Sequence, residues 1–153
     1  MNDKLDQKFM SLAFEEAKKA RLVNEVPIGS IIVDKNKKVL SQSYNLRETL
    51  QDPTAHAEIL AIREASLKLK TWRLTDTTIY VTLEPCAMCM GAIISSRIKR
   101  VVFGARDEKA GALISNYQLG LNDNLNHKVE TTQGILESEC SNILKEFFRD
   151  LRE

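Results

Sequence analysis

The sequence predicts an α/β fold, with a sheet covered by helices on both faces. Three observations carry that prediction. Two β-branched runs flank a short polar turn, as in a hairpin. Two more such runs, TTIYVTL and KRVVFGA, alternate with stretches of helical character, and strands alternating with helices build a sheet buried on both sides. The first and last segments repeat their apolar positions at helical spacing.

The elements follow in order. Leu5, Phe9, Leu12, Ala13, Ala17 and Ala20 recur at helical intervals, with lysines and glutamates between them. PIGSIIVD, 27–34, reads as a strand, KNKK, 35–38, as a turn, and VLSQSYN, 39–45, as the returning strand. RETLQDPT, 47–54, is a loop ending on a helix-start signal. Pro53 is tolerated in a first helical turn because no amide donor is missed there. The helix is expected to run from about Thr54 to Leu69. TTIYVTL, 77–83, is a strand, Pro85 opens a second helix through about Ser96, and KRVVFGA, 99–105, is another strand. A polar region follows, with a short strand expected near Val129. The last helix is expected to turn Ile135, Leu136, Cys140, Ile143, Leu144, Phe147 and Phe148 inward. Without repeats, low-complexity segments or linkers, 1–153 reads as one domain.

Composition narrows the function classes. At 43% hydrophobic content, with no apolar run near the ~18 residues of a membrane span, the chain reads as soluble and globular. The polar start MNDKLDQKFM has no signal-peptide core, so a cytoplasmic location is expected. Three cysteines do not make a disulfide framework. A net charge of +1 is not the excess that announces a nucleic-acid binder, although a sum hides local patches. The basic clusters Lys35, Lys37, Lys38 and Arg97, Lys99, Arg100 are each read as solvated surface.

The stretch EPCAMCM, 84–90, carries chemistry. Cys86 and Cys89 at a helix start share one face, and free N–H groups there favour thiolates. Such a pair is a redox dithiol, half of a structural zinc site, or two ligands of a catalytic metal. Upstream, TAHAEIL, 54–60, places one of only two histidines, His56, at another helix start, with Glu58 two residues on. Ligands in such sheets sit where strand ends meet helix starts. His56, Cys86 and Cys89 make three protein ligands, whereas closed structural zinc sites have about four and catalytic ones leave a position for water. Cys140 is read as a buried small residue and His127 as a loop residue. The count favours an open metal site with Glu58 as a waiting base.

H-A-E followed by P-C-x-x-C resembles the signature of the zinc-dependent nucleobase deaminases. EVPIGS, DPTAHAE, YVTLEPCAMCMGAI and RVVFGARD are similar, more closely, to the bacterial tRNA-specific adenosine deaminases, over about Glu25 to Gly111 and more faintly to the C-terminus. The resemblance implies a three-layer α/β/α, cytidine-deaminase-like fold with a mixed five-stranded sheet. It implies one zinc ion per subunit on His56, Cys86 and Cys89. It also implies hydrolytic conversion of adenosine to inosine at wobble position 34 of tRNA, with an arginine tRNA of anticodon ACG as target. In that reaction hydroxide, made available by zinc, attacks C6 of the base while Glu58 shuttles protons and ammonia leaves. Asn45 would hydrogen-bond the base, although from sequence alone it reads as a turn residue. Ile28 and Leu83 would wall the base and the backbone of Glu84 would contact it. Arg106, Asp107, Lys109, Phe148 and Arg152 would grip the anticodon stem-loop. Adjacent Phe147 and Phe148 cannot both face RNA if one packs in the core. A homodimer is implied, and GAIISSRI, 91–98, is small and apolar enough for either an interface or a core. The alternatives are a deaminase of guanine, cytosine or deoxycytidylate and, from another class, a non-catalytic zinc or RNA-binding module.

Overall fold

The structure is a computed structural model that describes residues 3–122 and 125–153. In chain order these form α1 (Asp3–Leu22), β1 (Gly29–Val33), β2 (Val39–Tyr44), α2 (Arg47–Leu50), α3 (Ala57–Leu69), β3 (Thr78–Leu83), α4 (Ala87–Ser95), β4 (Arg100–Ala105), β5 (Glu130–Gln133) and α5 (Glu137–Arg152). One five-stranded sheet has the order β2-β1-β3-β4-β5. β1 pairs antiparallel with β2 and β3, while β3–β4 and β4–β5 are parallel. The mixture follows from the connections: a tight turn can only give an antiparallel pair, and the α4 crossover permits the parallel one. Among the described residues no helix is long and apolar enough to cross a membrane.

Alternation along each strand makes the layers. Ile31 and Val33 pack with Phe9, Met10, Ala13 and Cys140, on the face covered by α1 and α5. Ile32, between them, packs with Ala61, Ala65, Met90 and Ile93, on the face covered by α3 and α4. Tyr80 and Val102 belong to the first side; Ile79, Val81, Val101 and Phe103 belong to the second. Both faces are buried, which is why these strands read as continuous apolar runs. The architecture is the expected three-layer α/β/α.

The approach of α1 to β1 needs a glycine. A Cβ on Gly29 would strike the Ala13 carbonyl and come within 2.6 Å of the Ala17 amide, both fixed backbone. Gly29→Ala is therefore expected to cost about 1–3 kcal/mol, as overpacking does. A lower denaturant midpoint at unchanged slope in urea unfolding would register it.

The structure differs from the sequence expectations at several places. Pro53 is exposed and lies in a turn ahead of α3, not in its first turn. The Asp52 carboxylate accepts from the Thr54 amide at 2.9 Å and the Thr54 hydroxyl at 2.7 Å, which stabilises that turn and delays the helix to Ala57. The expected loop holds a short helix, α2, whose Glu48 and Thr49 amides donate to the buried Glu25 carboxylate at 3.2 and 2.6 Å. Arg100 is no surface residue. Its guanidinium donates to both oxygens of Asp6, at 2.9 and 2.6 Å, and both residues are buried. Phe147 packs in the core, but Phe148 stays 44% exposed. Cys140 does fill the core, its sulfur against Gly104, where a Cβ would meet it at 2.6 Å. His127 ties its loop down: Nε2 lies 2.7 Å from the Ile98 carbonyl, which can only accept, so Nε2 carries the proton.

Candidate active site

The carboxyl ends of β2, β3 and β4 and the amino end of β1 meet at one end of the sheet, because Gly29 pairs with Tyr44 and Leu83 with Ala105. Helices α3 and α4 start at this end. His56 is the N-cap residue of α3 and Cys86 that of α4; neither spends its side chain on a cap hydrogen bond. Both side chains are thus free to turn toward each other over unsatisfied helix amides. Cys89 follows one turn into α4, and Glu58 sits in the first turn of α3, buried at 4% exposure.

His56 Nδ1 lies 3.6 Å from the Cys86 sulfur and 3.5 Å from the Cys89 sulfur. The three ligand atoms lie within 4.8 Å of one another. Zinc bonds of about 2.0 Å to nitrogen and 2.3 Å to sulfur, at a tetrahedral angle of about 109°, would separate such atoms by about 3.6 Å. The donor set therefore fits a zinc-sized ion. Its protonation fits as well. Hydrogen bonding from the Cys89 thiol, helped by His56 and the Cys89 amide against the opposing effect of burial, draws the Cys86 thiol down to about 4. The hydrogen bond to Cys86 raises His56 above its ordinary value. Hydrogen bonding to Cys86, with burial and the Glu58 charge, raises Cys89. Zinc takes cysteine as thiolate and histidine as neutral imidazole, so binding here would release protons. Burial raises Glu58, beside the cluster, to about 7.

Above His56 opens a cleft of about 800 Å³. Of the residues singled out in the sequence, Asn45, Ile28, Leu83, Arg106, Asp107, Lys109, Phe148 and Arg152 line it together with His56. Asn45 also keeps a structural job: its side-chain amide donates to the Val26 carbonyl at 3.3 Å and its oxygen accepts from the Arg47 amide at 3.2 Å. Leu144 and Phe148, expected to point inward, face the cleft instead, because α5 presents one apolar strip to the sheet and another to this opening. Glu84 does not line the cleft. It is 2% exposed, and although burial alone would raise its carboxyl, hydrogen bonds from Ser115, Ile114 and Asp107 hold it below the ordinary value.

A tRNA-specific adenosine deaminase of Haemophilus influenzae is 44% identical to this chain over 153 residues, 100% of this chain and 88% of its own length. One from Bacillus subtilis is 48% identical over 148 residues, 97% of this chain and 91% of its own length. The chain belongs to the tRNA-specific adenosine deaminase family. A family model described as MafB19-like deaminase matches residues 4–152. A solved structure from work on A-to-I editing by tRNA:A34 deaminases at the wobble position superposes with a TM-score of 0.86 at 42% identity, covering 90% of this chain and 99% of that one.

Within the deaminase cleft the sequence reading passed over Arg47, Glu108, Leu144 and Leu151. Arg47 follows Asn45 by two residues, but nothing local separates a cleft arginine from a solvated one. With it the lining carries Arg47, Arg106, Lys109 and Arg152 against Asp107 and Glu108. The local balance is basic although the whole chain carries only +1.

Proposed function

We propose that this chain deaminates adenosine to inosine at wobble position 34 of tRNA, with an arginine tRNA of anticodon ACG as substrate. The observation that carries the reading is the buried Glu58 carboxylate set against a His–Cys–Cys cluster below a basic cleft. Identities of 44% and 48% to tRNA-specific adenosine deaminases over nearly the whole chain support the substrate class.

In this reading His56, Cys86 and Cys89 hold one zinc ion per chain. When bound, zinc supplies Lewis acidity that brings the ionisation of water toward neutral pH. Glu58 accepts the proton of the attacking water. As oxygen bonds to C6 of adenine, Glu58 passes that proton to the ring nitrogen, then takes the remaining proton from the new C6 hydroxyl and delivers it to the exocyclic amine. The C–N bond breaks, ammonia leaves and the inosine carbonyl remains, so one carboxylate serves both transfers and ends as it began. Asn45 orients the base, with Ile28 and Leu83 as apolar walls. Arg106, Lys109 and Arg152 meet phosphates, Asp107 accepts from a ribose hydroxyl, and Phe148 stacks on a displaced base. The chain acts as one domain, in the cytoplasm, as a homodimer.

The test is inosine formation on an in vitro transcribed arginine tRNA with anticodon ACG, using zinc-loaded protein and a Glu58→Ala control. Conversion confined to the wobble adenosine is expected. Ammonia release from guanine, cytosine or deoxycytidylate, with none from the tRNA, would overturn the assignment.

A further inference from the structure

Glu84 directly follows β3, two residues before Cys86, and its carboxylate is spent entirely inward. Oε1 accepts from the Asp107 amide at 3.1 Å and the Ser115 hydroxyl at 2.6 Å. Oε2 accepts from the amides of Leu113, Ile114 and Ser115 at 3.2, 2.8 and 2.9 Å. Every one of these donors belongs to the loop after β4. The outer side of the same loop delivers Arg106, Asp107 and Lys109 to the cleft. Gly111 leaves room for the clamp, since a Cβ there would collide with the Glu84 carboxylate. The loop is bonded in turn to the cysteine segment: the Ala112 amide donates to the Pro85 carbonyl at 2.8 Å, and Cys86 bridges to Gly111.

We infer that Glu84 is a positioning residue for the RNA substrate: its carboxylate pre-forms the 106–115 loop as the outer wall of the cleft. Contacts made by that wall then carry no cost of ordering the loop at the moment of binding. The inference rests on the function proposed above. Only a carboxylate serves, because both its oxygens face donors. A glutamine would aim its own N–H groups at one of the two donor sets, leaving buried amides unpaired.

The test compares the zinc-loaded wild-type protein, Glu84→Gln and Ser115→Ala on the same arginine tRNA. Steady-state kinetics, zinc content and amide hydrogen exchange are the readouts. For Glu84→Gln, KM is expected to rise about tenfold or more with kcat within about threefold, the pattern of lost binding and not lost chemistry. Zinc content should hold, and the amides of Asp107, Leu113, Ile114 and Ser115 should exchange faster. Ser115→Ala removes one donor to the carboxylate together with the acceptor of Arg106 Nε at 3.1 Å. It should shift KM and exchange the same way, by less, and faster exchange at Leu113 and Ile114 reads the clamp separately from Arg106. Released amides with unchanged KM would overturn the inference, as would a fall in kcat at constant KM or amides that stay protected. Should Glu84→Gln not fold, Ser115→Ala decides, and unchanged KM and exchange there would overturn the inference too. An inactive wild-type protein would overturn the proposed function, while the exchange rates would still read the clamp.

Discussion

Glu58→Ala is expected to lower kcat for inosine formation by about 10³ to 10⁴-fold while the protein folds and keeps its zinc. General acid–base groups contribute about 10² to 10⁴-fold in one transfer, and here a single carboxylate serves successive transfers. At 1.36 kcal/mol per decade this is a loss of roughly 4–5.5 kcal/mol of transition-state stabilisation. No other carboxylate is placed to substitute among the described residues: Asp107 and Glu108 lie at the outer wall, and Glu84 is consumed by its loop. Glu58 is not one of the three clustered ligand residues. Zinc stoichiometry should therefore survive the change, as read by elemental analysis of purified protein. Loss of zinc would make Glu58 a ligand; retained activity would remove it from the chemistry.

Asp6→Ala is expected to destabilise the fold by about 3–5 kcal/mol, the usual cost of leaving one member of a buried pair without the other. Asp6 on α1 meets the Arg100 guanidinium of β4 through two hydrogen bonds and accepts a third from the Tyr80 hydroxyl at 2.8 Å. Arg100 also donates to the Thr132 hydroxyl of β5 at 2.8 Å, so one network joins α1 to three strands. The alanine variant leaves a buried guanidinium without its carboxylate, and the Thr132 hydroxyl carries no charge to replace it. Replacing the pair together, with Asp6→Leu and Arg100→Met, should recover most of the loss, because apolar groups of similar volume have no charge to desolvate. Denaturant unfolding of the single and double variants measures both. The pH dependence has a definite sign. Burial alone would raise Asp6, but the Arg100 and Tyr80 hydrogen bonds outweigh it and hold the carboxyl below its ordinary 3.8. A group depressed in the folded state stabilises fully above its unfolded value. That contribution drains away as pH falls below 3.8 through the lower folded value. The stability difference between wild type and Asp6→Ala should therefore be smaller below pH 3.8 than at neutral pH.

The layers and the site were legible to different depths. Strands, helices and the hairpin could be read because their apolar periods and turn are local; the strand order β2-β1-β3-β4-β5 came only with the structure, because pairing between distant strands is not local. At the site, H-A-E and P-C-x-x-C pointed to two helix starts. Their convergence needed both helices to begin at the same end of the sheet, which strand–helix alternation permits but does not state. Pro53 misled because proline suits a turn as well as a first helical turn, and Asp52 chose the turn through its bonds to Thr54. Arg47 was invisible because exposure to a cleft and exposure to bulk solvent leave the same sequence.

By itself the sequence determined the α/β class, the cysteine pair with its histidine and glutamate, and the resemblance to tRNA-specific adenosine deaminases. Each is written in short-range spacing, where the backbone's own periods turn residue order into geometry. Only the tertiary structure decided the rest. It paired Asp6 with Arg100, put Phe147 in the core and Phe148 at the cleft, and wrapped the 106–115 loop around Glu84. A buried charge must find its partner wherever the fold brings one, and no local period encodes a partner 94 residues away.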